Sequence, residues 1–577
     1  MKTRNGVTTS QAAIAVVVVI IIAAVGFYAA TYLTPGPSTT STTSTTSAVQ
    51  GVVPRSITVQ RNAWSNDMDP RETSTIDVVQ NLYETLTYVA PNGTVLPGLA
   101  TSWSSSDGGV TWNYNLRQGV TFHDGKAFNS TAVVYSINAI VKYGGGDAPD
   151  VWNTFKSVTA TGTYSVQIVN SQPTNEPIVT AAAYAAFMFS PNIIAYSGAK
   201  NDTSGLHAWF LQLHDDGSGP YTINSTGSSL SKQVIEISAF KSYWGGWHSG
   251  QITNIIVDTV SNTNTAVLEA EKGQLDVIGL SGQWQYVPQL LQAGLQLKSG
   301  QSFSAIWLLF NNQHEYLNNT LVRRALLTAI NYQQVVNQAY FGYGSMFPGI
   351  INPGKPFYNA NSPSYPMTGN LTAAKSLMKQ AGYPGGLNVT WTVTYSTGSP
   401  FLGTACQVLN TYWSKLGVTL NCQGEGFGAV TKQAGYFNQT TGTVFSPGPI
   451  SYASTSKAQD IVLLNWVGAT ADPWLVPNEL FAIQSAPYQN DILFNWSYWR
   501  NSTFTNLLNK AVLDEANPSV AQPEWNTLST MFYQAAPGWG LFAENGGWIL
   551  SPHLQGYTPN PYYGFDYIFY YQLTYSS

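Results

Sequence analysis

The sequence predicts an α/β body, and three observations carry that expectation. Strand-like and helix-like segments alternate along the chain without an internal repeat. The strand segments show a period of two, as at Trp112, Tyr114 and Leu116, whereas a helical one such as Leu371 to Ala381 ends at a glycine. Apolar residues make up 44% of the chain, ample for large buried cores. Elements alternating in this way share packed layers.

Taken in order, Ser56 to Gln60 alternates and reads as a first strand, and Thr111 to Arg117 as another. Gly119 to Gly125 reads as a strand end plus a turn, with Asp124 and Gly125 as the turn pair. Gly217 to Pro220 is also read as a turn, because the Lys-Ser/Thr of a phosphate-cradling loop does not follow it. Leu321 to Tyr340 is expected to be one helix, and Leu371 to Ala381 a second, stopped by Gly382. Thr390 to Tyr395 is a strand, Gly403 to Leu416 a helix and Val418 to Cys422 a strand.

At 577 residues the chain exceeds one core, and usual domain sizes suggest about two to four domains. Charged residues are only 9%, against roughly 25% in an average soluble protein. Hydroxyls and amides must therefore keep the surface wet. Ten N-x-[ST] sequons, at Asn92, Asn129, Asn201, Asn224, Asn318, Asn370, Asn388, Asn438, Asn495 and Asn501, make glycosylation an expectation for a secreted chain. The net charge of −5 and the lack of a basic patch argue against a nucleic-acid partner. Two cysteines, Cys406 and Cys422, are either a disulfide closing a short loop or two buried thiols.

The N-terminus sets the compartment. Lys2 and Arg4 (in an n-region, 1–11) precede an uncharged run from Ala12 to Leu33, long enough to span a bilayer core of about 30 Å. Positive charges ahead of it place the rest of the chain outside the cell. Three readings stand: a retained anchor, a cleaved secretory signal, and a pilin-like signal that is trimmed but leaves the apolar run in place. A linker, 34–53, comes next, and within it Ser38 to Ser47 is only Ser and Thr, a tract with nothing to bury that reads as a stalk.

A set of motifs starts at Leu82, Tyr83, Glu84, Thr85 and Leu86, then Leu96 to Trp103. It peaks in the decamer Leu116 to Gly125 and continues in Gly217 to Tyr221 with Tyr243 to Gly246, Gly273 to Asp276, and Phe310-Asn311 with Val322 to Ala325. Ala373 to Lys375, Ala381 to Tyr383, and Trp466 through Asp472-Pro473 complete it. In these motifs, collinear over most of the chain from Asp69 onward, the sequence resembles the solute-binding proteins of peptide- and nickel-type ABC importers, family 5, and the stalked form is archaeal-like.

What the resemblance implies is a two-lobed, periplasmic-binding-protein-like α/β fold of class II, hinged between lobes, with an extra subdomain in the first lobe. The first lobe takes 54–87, 217–300 and 504–577, the inserted subdomain 88–216 and the second lobe 301–503. It also implies a role: a binding subunit that captures oligopeptides outside the cell and works with ABC permeases and their ATPases, without cofactor or metal. An oligosaccharide ligand is the first alternative, and a non-transport surface adhesin the second.

Peptide-binding relatives place an aspartate three residues after a tryptophan to pair with the ligand's amino group. Here the tryptophan is Trp466 and that position is Ala469, so the best anchor for a buried ammonium is missing unless Asp472 or Glu479 supplies it. The candidate ligand residues are Trp466, Val467, Ala469, Asp472, Trp307 (at a ligand-facing hinge position in relatives), Trp64, Thr75, Trp284 and Tyr286. The tryptophans and the tyrosine suit sugar rings as well as apolar side chains.

Enzyme readings need a constellation, and none is present: no G-x-S-x-G, H-E-x-x-H or Walker A loop. His207 and His214 with Asp215 and Asp216 form the one grouping suggestive of a metal, and His123 belongs to the fold signature.

Overall fold

The computed structural model describes residues 55–576 except 72–74, 145–147, 183–184, 199–202, 280–282, 435–452, 454–457, 467–471, 484–494, 516 and 564–567. The apolar run 12–33 and the Ser/Thr tract lie outside these residues. Among the described residues no helix is long and apolar enough to cross a membrane.

The body begins with β1 (Ser56–Arg61), followed by a short hairpin of β2 (Thr87–Val89) and β3 (Val95–Pro97). Next come β4 (Ala100–Ser105), β5 (Thr111–Leu116), β6 (Phe155–Gly162) and β7 (Ser165–Asn170), an antiparallel sheet of order β4-β5-β7-β6. Then follow β8 (Tyr221–Ile223), β9 (Val234–Ala239), β10 (Asn254–Thr259), β11 (Val277–Gly279) and the long β12 (Gln296–Phe310). The remaining strands are β13 (Gly344–Ser345), β14 (Val389–Ser396), β15 (Val418–Glu425), β16 (Ile461–Trp466), β17 (Gly538–Leu550), β18 (Leu554–Gln555) and β19 (Thr574–Tyr575). The large sheet runs β15-β14-β16-β12-β17-β11-β1-β10-β9-β8, with β13 added on β17.

Two apolar cores lie along this sheet. One gathers Val59, Leu82, Tyr114, Phe122 and Tyr221 with their neighbours; the other gathers Trp307, Leu326, Leu409, Trp413 and Trp539 with theirs. The antiparallel pair β12 and β17 runs through the whole width between them. Its register shifts between Gln301 and Ala305 and again between Ile306 and Trp307. Such an irregularity bends a ribbon locally. At the first shift Ser302 Oγ donates to the Glu544 carbonyl (2.9 Å), and Ser304 Oγ lies 2.5 Å from Glu544 Oε2 and 2.7 Å from Asn465 Oδ1.

Local chemistry accounts for the element ends. The expected single helix over 321–340 is two, Thr320–Ala329 and Tyr332–Ala339. Ile330 is extended, and Asn331 caps the second helix by accepting from the Gln334 N–H. Asn370 caps Leu371–Gln380 through the Ala373 N–H, and Gly382 follows at φ +96°. Gly217 is required by crowding: a Cβ there would sit 1.9 Å from the Leu82 carbonyl oxygen. Cys406 and Cys422 form a disulfide.

The sequon expectation needs one correction. Asn495 is 1% exposed, and its amide donates to the Ala482 and Trp499 carbonyls, so the folded chain offers no acceptor there.

Beneath the four-stranded sheet, Glu176 is 1% exposed; its Oε2 accepts from Asn170 (2.7 Å), while Oε1 has no partner among the described residues. Burial pushes its carboxyl up to about 7 from an ordinary 4.5. Between those values the folded state holds a proton that the unfolded chain has released. Stability from this group is therefore full below the unfolded value and is lost as pH rises through about 7. Glu176→Gln is expected to add about 1–3 kcal/mol at pH 8 and little at pH 4.5. Urea denaturation at both pH values tests this; the same change at each would discard the buried-acid account.

Candidate ligand-binding site

The site grows out of the end of β16. Trp466 closes that strand, and beyond 467–471 the chain is described again from Asp472. Asp472 Oδ1 accepts from the Trp474 N–H (2.7 Å), a side-chain turn that leads into the helix Leu475–Phe481. Within that helix Glu479 is buried, and its Oε2 accepts from Trp466 Nε1 at 2.5 Å. Strand and helix are thus pinned through the two side chains.

Lys355 reaches the same place from a distant loop. It is 6% exposed; its Nζ donates to the Asp472 carbonyl at 3.2 Å and lies 5.3 Å from the centre of the Phe303 ring. Burial lowers its ammonium to about 8, while the charges of Asp472 and Glu479 pull the other way. Burial likewise raises Asp472, against which the Trp474 hydrogen bond and Lys355 act. Glu515 is pushed up to about 10 by burial and then by the charge of Asp472. The Lys355 ammonium thus serves Asp472 and Glu479, and Glu515 adds a third carboxyl that feels Asp472.

Beside this set lies a cavity of about 440 Å³. Trp112 and Thr174, from the four-stranded sheet region, form one wall; Asp472, Trp474, Val512 and Glu515 form the other. Trp112 is fixed there, its Nε1 shared by the Gly109 (3.1 Å) and Thr174 (3.0 Å) carbonyls. Such a volume, apolar walls and a few convergent polar groups are what a small-ligand pocket needs.

A second cavity of about 180 Å³ is lined by Tyr83, Glu84, Tyr88, Tyr243 and Trp244 among others. Its carboxylate is already occupied: Glu84 accepts from Ser218 Oγ (2.8 Å), Tyr243 OH (3.1 Å) and Trp244 Nε1 (2.9 Å). Arg117 lies 4.0 Å from the Trp244 ring centre. With its carboxylate satisfied by its own wall, this cavity is a weaker candidate.

Of the residues singled out from sequence, the structure gathers Trp466 and Asp472 around Glu479 and Lys355. Val467 and Ala469 lie outside the described residues. Trp307, expected to face ligand, is fully buried, its ring edge-on to Phe347 (5.8 Å), Phe481 (5.6 Å) and Phe532 (6.5 Å). Its side of β12 faces the core and lines neither cavity. Trp284 is buried against Tyr343, rings stacked at 4.5 Å, and Tyr286 OH donates to Asn264. Trp64 packs on the first core, and Thr75 is buried ahead of the helix Ile76–Leu82, 2.8 Å from Ser65 Oγ. None of these four lines either cavity.

The histidines disperse. His207 Nδ1 lies 3.2 Å from Asp69, His214 stacks on Trp209, and His123 pairs with Asp215. Among the described residues no cluster of three His, Cys, Asp or Glu side chains is placed to hold a metal.

Sequence reasoning missed Lys355, Trp112, Trp474 and Glu515. Glu515 did carry a signal: an acid just past the helix Ser502–Leu513, at the end where a negative charge is disfavoured.

Comparison with known proteins adds the lineage. A family model described as bacterial extracellular solute-binding proteins, family 5 Middle, matches residues 94–485. A heme-binding protein A of Haemophilus influenzae is 23% identical over 508 residues, covering 84% of this chain and 86% of that protein. The glutathione-binding protein GsiB of Shigella flexneri is 24% identical over 515 residues, 86% of this chain and 90% of its own. Among solved structures, the periplasmic binding protein DppA of Helicobacter pylori, in complex with the peptide STSA, superposes with a TM-score of 0.71. It is 21% identical and spans 90% of this chain and 98% of its own, a likeness of two-lobed folds.

Proposed function

Because the chain belongs to the extracellular solute-binding proteins of family 5, we propose that it captures oligopeptides outside the cell and delivers them to the permease of an ABC importer. The observation that carries this reading is the 440 Å³ cavity bounded by Asp472 and Trp474, just past Trp466, and by Trp112 on a separate sheet. A ligand held by both walls would favour a closed form over an open one. The peptide held by the Helicobacter pylori protein supports the ligand class. Where Ala469 lacks a carboxylate, Asp472 and Glu515 at the cavity wall offer one for an ammonium.

In this reading the first lobe comprises 54–87, 217–300 and 504–577, the inserted subdomain 88–216 and the second lobe 301–503. Strands β12 and β17 serve as the hinge, with the irregularity beside Glu544 as its pivot. The run 12–33 anchors the body to the membrane, and the Ser/Thr tract holds it off the surface. Binding alone is proposed, without catalysis.

A thermal-shift series on the purified protein tests the ligand class. Peptides are expected to raise the melting temperature with the logarithm of their concentration, by about 2.7 kcal/mol of stability at a hundredfold excess over Kd. A rise with cello- or malto-oligomers and none with peptides would replace the peptide reading by the sugar one.

A further inference from the structure

The cavity has a chemical bias of its own. Its apolar wall is aromatic and aliphatic, with Trp112, Trp474, Val512 and Leu513 contributing. Among the described residues its ionisable lining is of one sign, Asp472 and Glu515. Lys355 stands behind and donates to the backbone carbonyl of Asp472. Glu479 is engaged by Trp466. That leaves Glu515, whose Oε1 is shut away from water with no hydrogen-bond partner among the described residues. A buried acceptor left unsatisfied costs stability and calls for an explanation.

Burial and the charge of Asp472 both disfavour an anion at Glu515. It follows the C-terminal end of the helix Ser502–Leu513, where the backbone carbonyls point outward, and it faces another carboxyl. A cation entering the cavity would meet the Glu515 side chain in its wall and offset the repulsion between Glu515 and Asp472. Aromatic walls suit the remainder of such a group, because Lys and Arg carry apolar stems and a guanidinium stacks on indole.

We propose that this cavity is a specificity subsite for a cationic side chain, guanidinium or ammonium, received between the Asp472 and Glu515 carboxyls. The inference rests on the peptide reading for the rest of the ligand but stands on the cavity's own charge. It has a proton consequence. Without a bound cation Glu515 is held well above the ordinary carboxylate range by burial and by Asp472, so it carries a proton at neutral pH. A bound cation takes over that neutralising role, and the proton leaves to solvent. Affinity for the cation therefore rises with pH until Glu515 ionises unaided. The charged groups facing it are Asp472, with Lys355 and Glu479 behind.

Titration calorimetry on the purified full-length chain tests this with two peptides that differ only in arginine against citrulline, its uncharged isostere. The arginine peptide is expected to bind about tenfold more tightly or better, the scale of charge-assisted hydrogen bonds. Its heat should vary with buffer ionisation enthalpy, reporting the released proton. Glu515→Gln should erase both the preference and the buffer dependence, leaving the two peptides with like affinities for the variant. Equal affinities for the two peptides, or a Glu515→Gln variant that keeps the preference, would overturn the proposal. If neither peptide binds, agmatine becomes the probe. Agmatine binding lost in Glu515→Gln keeps the cation subsite and removes the peptide reading; no agmatine binding removes the subsite.

Discussion

Trp307→Ala is expected to lower unfolding free energy by about 3–5 kcal/mol while leaving the ligand affinity of the folded protein unchanged. Trp307 is among the largest fully buried side chains, and its ring meets Phe347, Phe481 and Phe532 edge-on. Its partner across β17 is Gly540, where a Cβ would sit 2.3 Å from the Phe347 ring. Packing is tight enough there that truncation leaves a cavity the backbone cannot refill. Trp307→Phe should cost less. It keeps most of the ring volume and removes an indole N–H that has no hydrogen-bond partner among the described residues. Urea denaturation of both variants decides the matter. A loss under about 1 kcal/mol for the alanine variant, or weakened ligand binding at unchanged stability, would return Trp307 to the cleft.

The second large effect is expected at Lys355. Its ammonium is buried beside Asp472 and Glu479, and the desolvation it suffers is tolerated because those charges act on it. Removing one partner of a buried ion set leaves the others uncompensated, which costs about 3–5 kcal/mol. Lys355→Met should therefore be strongly destabilised at pH 7. The deficit should shrink as pH falls. Burial raises the Asp472 carboxyl, so the folded state takes up a proton there before the unfolded chain does, and its stability gains as pH drops through that window. Adding Asp472→Asn to Lys355→Met should recover part of the loss at pH 7. A single variant equally stable to wild type at pH 7 would show that Lys355 is not the counter-charge.

How much of this was legible in the sequence depended on the range of the interaction that decides it. Strands β1, β5, β14 and β15 fall within a few residues of where alternation and flanking turns put them, because pleat and turn are local. The break at Ile330 escapes a reading by apolar spacing, since the spacing runs on through it. Its signal is Asn331 with Gln334 three residues later, a helix start inside an apparent helix. Tertiary assembly hid the site in the same way. Trp466 and Asp472 stand in a recognisable run, but Lys355, Trp112 and Glu515 come from three remote segments that no spacing connects. Trp307 misled for the opposite reason: a large aromatic in a strand looks alike from either face until the sheet shows which side is covered.

The strand order of the large sheet also bears on how the protein is made. β11, complete by residue 279, has β1 on one side and on the other only β17, which begins at Gly538. A chain emerging from its N-terminal end leaves that edge of β11 open until β17 has been synthesised. Through all that time its unpaired backbone groups are exposed to any other strand that meets them. Export in an unfolded form, with folding begun only once the whole chain has crossed, would spare the cell that interval.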